Sequence, residues 1–148
     1  MAVDRSYVAQ NDAERARLKA LLARSDADLA RPLPAGWTVA GVLGHLAFWD
    51  QRVLVLFEQW EKTGQAPPSY SQDDVDWIND AAKPMLLAVP PRQAAQLALE
   101  IAEAVDAKVA RLSDDLVTRN AASATPINLL RAEHRREHLD EIEHALRW

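Results

Sequence analysis

The 148-residue chain contains no cysteine, which excludes disulfides, thiolate metal ligands and a protein-borne thiol nucleophile. Any sulfur chemistry must use a thiol brought from outside. Glycine is scarce, at four residues, and no Asn-Gly or Asn/Asp-Gly type hairpin dipeptide occurs, which argues against a sheet in a chain dominated by Ala, Leu, Glu and Arg. There is no long Lys/Arg run, and 22 acidic against 17 basic residues leave a formal charge of −5, so no nucleic-acid partner is expected. The N-terminus is charged from Asp4 onward and lacks the apolar stretch of a signal peptide; no later segment reads as a membrane span. A cytoplasmic location with no membrane partner is the expectation.

What remains reads as helices separated by proline-bearing breaks. One helix is expected over about Asn11 to Arg24, with Asn11 and Glu14 in capping-box spacing and Leu18, Leu21 and Leu22 as its apolar stripe; Tyr7 and Val8 could extend it back to Ser6. The linker SDADLARPLPAG ends it. Thr38 is the N-cap of a second helix running to about Lys62. After TGQAPPSY, a helix over Gln72–Ala88 is expected to be interrupted near Pro84, and another runs from Arg92 to Leu112. Thr125 as N-cap and Pro126 in the first turn predict a final helix from there to the C-terminus. The fold class is therefore all-α: one domain over residues 1–148, a four-helix bundle with a short extra helix and at least one crossover, because the loops exceed what an up-and-down bundle needs. Alanine-rich faces and a terminal Trp148 make a homodimer the expectation.

Three of the four histidines stand where such a bundle would gather them. His134 and His138 are four residues apart, about 40° around a helix and one turn along it. They fall on a stripe with Ile127, Leu130, Ile142 and Ala145, where uncompensated imidazoles are costly, whereas His144 lies off that stripe and faces solvent. His45, on the second helix, can meet the pair across the bundle. Three neutral imidazoles leave an open position on a borderline divalent ion, a catalytic rather than a structural type of site. An exogenous thiol bound there would ionise, and so would a water, and the residues alone do not choose between these nucleophiles.

The segments LARPLPAGWTVAGVLGHLAFWDQRV and HRREHLDEIEHAL, with DDVDWINDAAK between them, resemble the DinB/YfiT-like metalloprotein superfamily over residues 10 to 147. The resemblance implies a four-helix bundle with His45, His134 and His138 as metal ligands, a zinc or nickel ion, and in some relatives transfer or isomerisation with mycothiol, bacillithiol or glutathione. The maleylpyruvate isomerase branch replaces one helical His by Glu, which this chain does not. A ClbS/DfsB-like branch protects against reactive compounds and need not use a metal. The reading that follows is a metal-dependent transferase or hydrolase acting on a small molecule, with a metal-free protective protein and a non-catalytic bundle as its rivals.

Several neighbours are candidates for the pocket. Glu141 projects about 20° from His134 and serves as an acceptor behind an imidazole N–H, a fourth ligand or a general base, or else pairs at the surface with an arginine. Trp49, and Phe48 beside it, wall the pocket or pack in the core. Arg52 binds a substrate carboxylate or snorkels at the surface. Asn79 and Trp77 approach the mouth if the third helical segment crosses it. Trp37 reads as a core anchor, and Glu137 and Asp140 as solvated.

Overall fold

The computed structural model describes residues 2–147, so the expectation placed on Trp148 lies outside the described residues. Among the described residues seven α-helices follow in order: α1 (Tyr7–Ala20), α2 (Asp26–Leu29), α3 (Val39–Thr63), α4 (Gln72–Ala88), α5 (Pro91–Ala110), α6 (Asp114–Ala121) and α7 (Arg131–Leu146). Among the described residues there is no strand beyond a single bridge between Pro32 and Thr38. α1, α3, α5 and α7 form the bundle. α3 packs on α5 and α7, and α1 packs on the same two helices, so α1 and α3 stand on one diagonal and α5 and α7 on the other. The connections α1→α3 and α5→α7 therefore cross the bundle, as the long loops predicted.

α3 is the central helix. Thr38 caps it, its Oγ1 accepting from the Gly41 N–H at 2.9 Å, and Gly64 ends it with a left-handed φ of 72°. Contrary to the sequence reading, α3 is long and apolar enough to cross a membrane by length and composition. Its apolar residues instead line the bundle: Val39, Leu43, Leu46, Val53, Phe57 and Trp60 are all buried.

The core is two apolar clusters with a polar layer between them. Leu18, Leu43, Leu46, Ala98, Leu139 and Ile142 belong to one, and Tyr7, Val53, Phe57, Trp60, Val105 and Val109 to the other. Between them, Asn11, Asp50, Asp106 and Arg135 are buried, one from each bundle helix. Arg135 is fully buried and donates to both Asp106 oxygens at 2.8 Å and to Asp50 Oδ2 at 3.0 Å. Arg131 donates to the other Asp50 oxygen at 2.9 Å, and Arg15 to Asp106 at 2.6 Å. Charges removed from water are tolerated only when paired in this way.

Four expectations need correction. α1 starts at Tyr7, so Asn11 is not its cap but a mid-helix residue whose side chain crosses to α7. α4 runs unbroken through Pro84, since its last turns are held against α3: Leu86 and Leu87 lie where a side chain at Gly44 or Gly41 would sit, with Leu87 Cδ2 at 2.7 Å from the position a Cβ on Gly41 would take. α6 stands in what read as a plain connection, capped by Ser113 Oγ, which accepts from the Leu116 N–H. α7 begins at Arg131, not at Thr125. Buried Asn120 pairs with both backbone groups of Ile127 at 2.8 Å, and Asn11 accepts from the Ala132 N–H and donates to the Leu129 carbonyl. With those backbone groups already satisfied, residues 126–130 stay outside the helix.

Candidate metal centre

The late start of α7 also redefines its faces. Ile127 and Leu130 precede the helix, and the buried face consists of Arg131, Ala132, Arg135, Leu139 and Ile142. His134 and His138 lie at its edge, half-buried, opposite the half-buried His45 of α3. The three rings meet edge-on, with centroids 4.8–5.0 Å apart. His45 Nε2 is 3.1 Å from His134 Nε2, and His138 Nε2 is 3.2 Å from it. His144 is exposed and outside the group, as the helical geometry predicted.

Two nitrogens bound to one ion at about 2.1 Å stand roughly 3.0–3.4 Å apart for angles between octahedral and tetrahedral. Both separations to His134 fall in that interval, and all three donor atoms lie within 4.8 Å of one another. Without a cation the cluster is poorly satisfied, because each Nε2 pair needs one proton between two acceptors and His134 Nε2 can donate to only one partner. Burial and the neighbouring His138 hold His45 down to about 4 from the ordinary 6.5. Burial, His138, His45, Arg131 and Arg135 hold His134 down to about 3. Both are neutral near pH 7, as ligand imidazoles must be. His138 Nδ1 is buried without a hydrogen-bond partner, and Glu141 Oε2 stands 3.7 Å away, too far for a hydrogen bond. The donor set fits a divalent ion.

Two clefts open onto the triad, sharing His45, Asn79 and His134. One, of about 230 Å³, is walled by Trp49, Arg52, Tyr70, Asn128 and Arg131. The other, of about 490 Å³, is walled by Trp37, Asp80, Lys83, Glu137, His138 and Glu141. Trp49 Nε1 donates to Asn79 Oδ1 at 2.8 Å, joining α3 to α4 across the site. A larger groove of about 590 Å³ between α1 and α5 contains none of the three histidines, so size alone does not mark the chemistry.

The structure thus brings Trp49, Arg52, Asn79 and Glu141 to the cleft walls. Trp77 is 60% exposed, bonded to Asp74, and lines neither cleft. Trp37 does more than anchor the core: its ring meets His45 edge-on at 5.8 Å and carries Lys83 Nζ at 5.0 Å. Lys83 also donates to the carbonyl of Ala35, a left-handed residue at φ 60°. Asp140 is exposed but paired with Arg17 at 2.8 Å, and Glu137 is exposed. Tyr70, Lys83, Asn128 and Arg131 were missed; no spacing rule links the first three to the histidines, whereas Arg131 stands one turn before His134 on α7.

The all-α bundle thus carries three convergent imidazoles that could hold a metal ion, in a site open to two clefts. The family described as mycothiol maleylpyruvate isomerase N-terminal domain matches residues 12–143, and the chain belongs to it. That family lies within the DinB/YfiT-like superfamily. The match holds although histidine stands at all three positions. No curated protein matches the chain, and no solved structure does.

Proposed function

We propose that the protein is a divalent-metal-dependent transferase or hydrolase for a small molecule, using an external low-molecular-weight thiol, with His45, His134 and His138 as ligands of a zinc or nickel ion. The convergence of three imidazole Nε2 atoms in a site open on two sides carries this reading. The thiol is supported by the family's association with mycothiol, and because the chain has no cysteine it would come from outside. Bound there, the cation supplies Lewis acidity and lowers the pKa of a thiol or water that enters the open position.

The chain's own residues set the stage. Burial keeps His45 and His134 unprotonated and available as donors. Glu141 is the nearest carboxylate to His138 Nδ1 and orients that ring once the two close to bonding distance. Trp49, fixed by Asn79, walls one cleft, and Trp37, edge-on to His45, walls the other. Metal content after purification without a His tag or added metal tests the reading, followed by a screen of thiols against electrophiles with metal-loaded protein. One tightly held equivalent and thiol-dependent turnover are expected; substoichiometric metal that does not rebind would overturn it.

A further inference from the structure

The two clefts differ in charge. The larger has three carboxylates, Asp80, Glu137 and Glu141, against Lys83, whose ammonium is already engaged by the Ala35 carbonyl and the Trp37 ring. The smaller is lined by no carboxylate and by two guanidinium groups, Arg52 and Arg131. Arg131 is neutralised by Asp50 through Nε and bonded to the Asn128 carbonyl through Nη1.

Arg52 differs from the arginines of the polar layer. It is half-buried, yet it has no hydrogen-bond or ion-pair partner among the described residues. Its Cζ instead lies over two rings, 4.4 Å from the Tyr70 centroid and 5.5 Å from that of Trp49. Ring contacts hold a guanidinium by its faces and leave its in-plane N–H edge unspent. Trp49 is in turn fixed by Asn79. An oriented cation with free donors, in a carboxylate-free cleft shared with His45 and His134, is built to receive an anion.

We propose that the Arg52 cleft is a carboxylate subsite, in which Arg52, held by Trp49 and Tyr70, anchors the anionic end of a ligand whose other end reaches the histidine triad. Planar, paired oxygens match the guanidinium fork. The acidic wall opposite repels the same ligand, so the orientation of a carboxylate-bearing substrate across the site is set from both sides. A cleft of about 230 Å³ accommodates a short acid. This assignment rests on the metal reading above.

The test uses full-length zinc-loaded protein and two hydroxamate series, which chelate the ion through the same head group. One series ends in a carboxylate two to four methylenes away, and the other in a methyl group at the same reach. Calorimetric affinities are measured for wild type, Arg52→Gln, Arg52→Lys and Lys83→Met, each with its zinc content determined. At one tail length the carboxylate should bind about ten- to a hundredfold tighter than the methyl analogue. That preference should vanish in Arg52→Gln, survive in part in Arg52→Lys and persist in Lys83→Met, with methyl-tailed affinity and zinc content unchanged throughout. Equal affinity for both tails in wild type, or a preference untouched by Arg52→Gln, overturns the subsite and leaves the metal reading standing. If neither series binds and zinc is not retained, both fail together.

Discussion

Asn11 of α1 accepts a hydrogen bond from the backbone N–H of Ala132 at 2.9 Å, two residues before His134. The same amide donates to the Leu129 carbonyl at 3.0 Å. One buried side chain therefore defines where α7 begins, and with it the height at which His134 and His138 face His45. Replacing Asn11 with Ala leaves the Ala132 N–H unpaired in the interior, while the Leu129 carbonyl keeps the Arg131 N–H, at a cost of roughly 1–3 kcal/mol. Urea denaturation should show that loss, and zinc affinity should fall with it. A loss below about 0.5 kcal/mol would mean the α7 start is held by something else.

Arg135 gives a second prediction about the same layer. It is fully buried between Asp50 and Asp106, so Arg135→Met strands part of the charge on two carboxylates and should destabilise the fold by about 3–5 kcal/mol. Changing Arg135, Asp50 and Asp106 together to apolar residues of similar volume should recover much of that loss. If the single change proved as mild as a surface substitution, the layer would not be a paired interior one.

The pH dependence of the metal-free protein follows from His45 and His134. Their folded-state values, about 4 and about 3, lie below the ordinary 6.5. Below pH 6.5 the unfolded chain takes up protons that the folded chain refuses. Their contribution is therefore complete above about 6.5 and is lost as pH falls toward 4 and then 3. Each histidine adds a slope of about 1.4 kcal/mol per pH unit within its window. Urea midpoints at pH 5 and pH 7 should show this fall in wild type and a smaller one in a His45→Gln/His134→Gln double variant. An equal fall in both would assign the acid sensitivity to the carboxylates instead.

Gly44 tests how α4 is seated. A Cβ there would stand 3.3 Å from Leu86 Cδ2, so a larger side chain must push α4 away from α3. Gly44→Val should loosen the Trp49–Asn79 bond and raise the solvent exposure of Trp49, read as a red shift in its fluorescence, at a stability cost of about 1–3 kcal/mol. An unshifted spectrum would show that α4 does not depend on this close approach.

How much of this was legible in advance depended on whether a residue's partner lay nearby in sequence. Thr38 and the apolar run after it announce α3 locally, and His134 and His138 announce themselves by helical spacing, so the all-α class and the histidine pair could be read directly, with His45 fixed as the third member by the family resemblance. The polar layer could not. Asp50, Asp106, Arg131 and Arg135 look like solvated helix charges until the bundle pairs them over separations of 29 to 85 residues. The same blindness misplaced the start of α7, since Thr125–Pro126 carries the local signature of a cap while the backbone is claimed by Asn11 and Asn120 from elsewhere. Pro84 misled for the opposite reason, a strong local breaker outweighed by packing on Gly41 and Gly44.

The central claim is that His45, His134 and His138 hold one divalent ion together. Zinc binding to the metal-free protein, measured by calorimetry at pH 7.5 for wild type and for Ala replacements of each of the four histidines, tests it most directly. One equivalent is expected in wild type and in His144→Ala, and at least a hundredfold weaker binding in His45→Ala, His134→Ala and His138→Ala. Equal binding in all five proteins, or equal loss from His144→Ala, would contradict it.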